Sequence, residues 1–87
     1  MVILPVMEKI ENVFGNAVRK LRQERGLSQE DFADKAGIHR TYVSSIELGK
    51  VQVSIRIAAQ VAEALEIPLS ELWRHIEDEQ ASRRKRR

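Results

Sequence analysis

Four side chains in one short stretch carry concentrated hydrogen-bonding chemistry: Arg40, Thr41, Ser44 and Ser45. A guanidinium is a rigid, two-point donor, and a hydroxyl can donate or accept. Such a set recognises polar edges; it does not by itself make or break bonds. The rest of the chain adds nothing catalytic. Its 87 residues include no cysteine, which excludes a thiol nucleophile, a zinc ribbon and a disulfide framework. The two histidines, His39 and His75, are too few for most catalytic metal sites. No nucleophile stands with a base, no acid–base pair suggests a cleft, and no phosphate-cradling loop is present. The expectation is a non-enzymatic protein with no cofactor and no metal.

Short helices must position those four residues. Ile10, Phe14, Ala17, Val18 and Leu21 form a helical apolar stripe, predicting a first helix from about Glu8 or Asn12 to Glu24. Gly15 inside it costs about 1 kcal/mol relative to alanine, so its first turns are expected to fray or start late. Ser28 opens a second helix as N-cap, with Asp31 three residues on and Leu27 and Phe32 at staple spacing. Gly37 closes it. The third helix begins near His39, turns Val43 and Ile46 one way, turns Thr41, Ser44 and Ser45 the other, and ends at Gly49. Two short helices around the corner Gly37-Ile38-His39 have the outline of a helix-turn-helix. A fourth helix starts at Ser54 and ends before Pro68; a fifth carries Leu69, Leu72, Trp73 and Ile76. The expected class is all-α, a compact bundle of five helices.

Charge is unevenly placed. The net charge is +2, yet Arg83, Arg84, Lys85, Arg86 and Arg87 fill the last five positions. Without them, ten basic residues face 13 acidic ones, so the body is acidic. Any polyanion partner must therefore be bound by local arrangement rather than by overall charge. The expected organisation is an apolar arm over 1–7, a domain over 8–78 and a basic flexible tail over 79–87. The arm is broken by Pro5 and lacks a basic start and a cleavage site, so no export signal or membrane span is expected. A cytoplasmic address follows by default, and Met7 is a candidate alternative start that the sequence alone does not decide.

The run Leu27-Ser28-Gln29-Glu30-Asp31-Phe32-Ala33-Asp34-Lys35-Ala36-Gly37-Ile38 resembles the lambda-repressor/Cro-like helix-turn-helix family, also called the XRE family. The likeness extends over roughly residues 14 to 73, through Val18-Arg19-Lys20-Leu21-Arg22, Ile46-Glu47-Leu48-Gly49-Lys50 and Ala64-Leu65-Glu66-Ile67-Pro68-Leu69. His39-Arg40-Thr41-Tyr42-Val43 resembles the start of the recognition helix in restriction–modification controller proteins. One departure is Leu48, where a charged residue is common.

The resemblance implies a dimeric, sequence-specific transcriptional regulator with the third helix of each subunit in successive major grooves, about 34 Å apart. Arg40, Thr41, Ser44 and Ser45 are then the base-contacting candidates, and Arg40 can donate twice to guanine O6 and N7. Its positive charge at a helix start is locally unfavourable, which a ligand explains better than folding does. Ser28, Gln29, Tyr42, Lys50, Gln52, Ser54 and Arg56 are the phosphate-contacting candidates, fixing register without reading sequence. Glu47 is expected to pair with Arg22 in a structural role. Leu69, Trp73 and Ile76 are the expected homodimer contacts, because a large exposed aromatic on a small protein marks an interface. An alternative in another class is an antitoxin-type module that neutralises a protein partner and regulates its own operon.

Overall fold

The computed structural model describes residues 9–85. The expected arm over 1–7, Met7 within it, and the last two arginines lie outside the described residues. Five helices follow in order: α1 (Ile10–Glu24), α2 (Gln29–Ala36), α3 (Arg40–Glu47), α4 (Ile55–Ala64) and α5 (Leu69–Lys85). No strand occurs among the described residues.

Local chemistry sets the boundaries. The Ser28 hydroxyl accepts the Asp31 N–H at 3.0 Å, and the Ser54 hydroxyl accepts the Ile57 N–H at 3.1 Å. Each satisfies a first-turn donor that would otherwise lack an intrahelical partner, an effect worth about 1 kcal/mol per cap. Gly37 ends α2 in the left-handed region (φ 71°), where a Cβ would be strained, so α3 can leave at a sharp angle. Ile38 N–H donates back to the Ala33 carbonyl at 3.1 Å and locks that corner.

The apolar stripes meet in one core. α1 packs between α3 and α5, α2 packs on α3 and α4, and α4 packs on α5. Phe32, Val43, Ile46, Leu65 and Leu72 are almost completely buried, each worth about 1.5–3 kcal/mol of transfer free energy. Gly15 carries a different meaning from the expected fraying. It is buried, and a Cβ there would collide with the backbone carbonyl oxygens of Ile46 and Glu47. The missing side chain lets α1 lie directly on the end of α3, so packing offsets the propensity cost.

Two expectations are corrected on α5. The basic segment from residue 79 is not a separate tail as far as Lys85, because α5 continues through it. Glu79 is buried against α1, where it accepts from Lys20 Nζ at 2.7 Å and from Arg83 Nε at 3.0 Å. That clasp ties the last helical turns to the body. Ile76, expected on the surface, is 2 % exposed and belongs to the core, because it follows the fully buried Leu72 at four-residue spacing.

Candidate nucleic-acid interface

The mount of α3 is built from charge as well as from apolar packing. Arg22 on α1 donates from Nε to Glu47 Oε2 at 2.6 Å and from Nη2 to Glu47 Oε1 at 3.1 Å. Its Nη1 donates to the Leu27 carbonyl at 2.7 Å, ahead of the α2 cap. Gln29, the first residue of α2, donates from Nε2 to the same Glu47 oxygen at 3.0 Å. One buried carboxylate thus gathers α1, α2 and the end of α3. The bidentate fork makes the angle between them specific as well as favourable. Such a pair contributes modestly when intact, but leaving either member buried alone costs about 3–5 kcal/mol.

Held this way, α3 turns Val43 and Ile46 into the core and leaves its other side open. Arg40 and Thr41 are exposed in the first turn; Tyr42, Ser44 and Ser45 are half-buried. His39 caps the helix without a side-chain hydrogen bond to its backbone, and its Nδ1 stands 3.5 Å from Thr41 Oγ1. Lys50, Gln52, Ser54 and Arg56 are exposed along the connection and the start of α4. Helical spacing sets Thr41, Ser44 and Ser45 on one side of α3, with Arg40 at its outer end.

Ser28 is exposed and Gln29 half-buried at the start of α2. The two helix starts differ electrostatically. The first turn of α2 carries Glu30 and Asp31, whereas the first turn of α4 carries no acid and includes Arg56. Carboxylates oppose a phosphate at a helix N-terminus, so α4 offers the better anion environment. Gln29 is already engaged by Glu47 through one amide hydrogen, leaving its second for a ligand.

The expected dimer contacts do not stay together. Leu69 is half-buried against the core, and Ile76 is inside it. Trp73 is 42 % exposed, with its ring 6.0 Å from that of Phe14 and tilted by 58°. It shares a shallow apolar groove with Ile10, Val53 and Ile55, which sequence reasoning missed. Ile55 is 79 % exposed at the start of α4, and Ile10 is also exposed. Ile10 reads as part of the core stripe of α1, four residues before Phe14, and the course of the loop after Gly49 brings Val53 and Ile55 beside Trp73.

Two short helices joined by a left-handed glycine corner, the second standing open across the first, form a helix-turn-helix. A family model described as helix-turn-helix matches residues 18–72. The control protein C.MunI from Mycoplasma sp is 47 % identical over 74 residues, spanning 84 % of this chain and all of that protein. The restriction–modification controller protein C.AhdI from Aeromonas hydrophila superposes with a TM-score of 0.69 at 40 % identity, covering 71 % of this chain and 94 % of that one. The controller protein C.Esp1396I, solved as a tetramer on its natural 35 base-pair operator, gives a TM-score of 0.80 at 26 % identity, covering 85 % and 97 %. The chain belongs to the helix-turn-helix family, in its branch of controller proteins.

No helix among the described residues is long and apolar enough to cross a membrane. Among the same residues, no group of three or more His, Cys, Asp or Glu is placed to hold a metal ion.

Proposed function

We propose that this chain is a sequence-specific, DNA-binding transcriptional regulator that acts as a homodimer on a two-fold operator, in the manner of a restriction–modification controller. The observation that carries this reading is the open face of α3, braced from behind by the Arg22–Glu47–Gln29 network. A helix about 10–12 Å across fits a major groove about 12 Å wide. Arg40, Thr41, Ser44 and Ser45 are the base-reading residues. Lys50, Gln52, Ser54 and Arg56 hold phosphates from the side of α4, with Ser28, Gln29 and Tyr42 on the other flank. Trp73, with Ile10 and Ile55 beside it and Leu69 one turn earlier on α5, forms the contact with the second subunit.

The protein works in the cytoplasm, where its DNA is, and it catalyses no reaction. The controller relatives favour this reading over an antitoxin-type module. Selection of bound duplexes from a random DNA pool tests it. The expected product is a two-fold repeat with half-site centres about one helical turn apart. A pool that stays random would contradict the reading.

A further inference from the structure

Leu48 is 58 % exposed, although its neighbours Ile46 and Glu47 are buried. It has not left the screw of α3. Its backbone is right-handed helical (φ −88°, ψ −1°), and its N–H donates to the Ser44 carbonyl at 3.0 Å. Its Cβ therefore falls on the same side as Thr41 and Ser44, at i, i+3 and i+7. Solvent receives an apolar side chain from the one face of α3 that is otherwise hydroxylic. Thr41 to Leu48 spans about 10 Å of helix axis, and base pairs rise about 3.4 Å, so the stripe covers about three steps of a groove.

In that groove the apolar feature on a base edge of unmodified DNA is the C5 methyl of thymine. We infer that Leu48 is a specificity residue that packs on a thymine methyl at the far end of the recognised half-site. This rests on the proposed DNA-binding reading and extends it to a residue whose type could not hold a phosphate. Leu48 is more than half exposed and is not part of the hydrophobic core cluster, so the Leu48→Ala variant is expected to fold.

The test uses the full chain and the duplex that it selects from a random pool of unmodified DNA. That duplex is resynthesised with uracil for thymine at one half-site position at a time, which deletes only the methyl. The wild-type protein is expected to lose about three- to fivefold in affinity at one position, the value of one buried methyl group. Leu48→Ala is expected to bind the thymine and uracil duplexes equally there, while still responding to changes at the Arg40 end. The inference is overturned if no thymine position responds to methyl removal, or if Leu48→Ala keeps the same thymine-over-uracil preference. A pool yielding no preferred duplex would instead overturn the DNA-binding reading and this inference with it.

Discussion

α1 meets the rest of the molecule on two sides, and the two contacts are made differently. Toward α3, Gly15 brings backbone against backbone, and the buried Arg22–Glu47 pair fixes the angle. Toward α5, Phe14 meets Trp73 at an oblique ring contact, and the half-open Lys20–Glu79–Arg83 cluster closes the far end. The first contact leaves almost no surface on the inner side of α3 and so makes its outer side a rigid platform. The second leaves a large aromatic in reach of solvent, at the proposed contact with another subunit. On the proposed reading, α1 divides two requirements of a DNA reader, precision toward α3 and association toward α5.

The comparison breaks most severely on the α3 side. Glu47→Ala leaves the Arg22 guanidinium buried without its carboxylate and is expected to lower stability by about 3–5 kcal/mol. Denaturant unfolding measures it; a loss within 0.5 kcal/mol would mean that the pair does not define the mount. Gly15→Ala should cost about 2 kcal/mol, because a methyl must displace backbone carbonyls, and the gain in helix propensity of about 1 kcal/mol does not offset it. A stabilised Gly15→Ala would show that α1 and α3 are not in close contact.

On the α5 side the expected change is in association rather than folding. Trp73→Glu should shift sedimentation from dimer toward monomer while the helical circular dichroism stays intact. An unchanged dimer would remove the groove from the interface. The smallest effect concerns acid. Burial alone would raise the Glu79 carboxyl, but hydrogen bonds from Lys20 and Arg83, with their charges, outweigh it and hold its pKa below the ordinary value. A carboxyl held low in the folded state adds stability that is complete above the ordinary glutamate pKa of about 4.3 and is lost as pH falls through the lowered value. Glu79→Gln should therefore flatten the acid limb of the stability profile below about pH 4.5. An unaltered limb would mean that the clasp does not hold the end of α5.

Much of the recognition half was legible from sequence because its signals are local. Ser28 and Ser54 sit at the caps that their side chains satisfy, and Gly37 sits where the chain must turn left-handed. The Arg22–Glu47 pair followed from the resemblance and was found in place. What escaped is non-local. Gly15 reads as a propensity defect until α3, some 30 residues on, arrives against it. Glu79 opens the segment that reads as a basic flexible tail, and its partner Lys20 lies 59 positions away. Leu72, Trp73 and Ile76 share one stripe, and only the crossing of α5 over α1 decides that Ile76 turns inward and Trp73 outward.

The claim at the centre is that the exposed face of α3 reads base edges, with Arg40 first among its residues. It is tested most directly by measuring Arg40→Ala against wild type on the selected operator and on a scrambled duplex, over a range of salt. Loss of a bidentate guanine contact should weaken operator binding by about 5- to 150-fold, equivalent to about 1–3 kcal/mol, with scrambled-duplex affinity and its salt slope nearly retained. Equal loss on both duplexes would make Arg40 a phosphate contact and contradict the account.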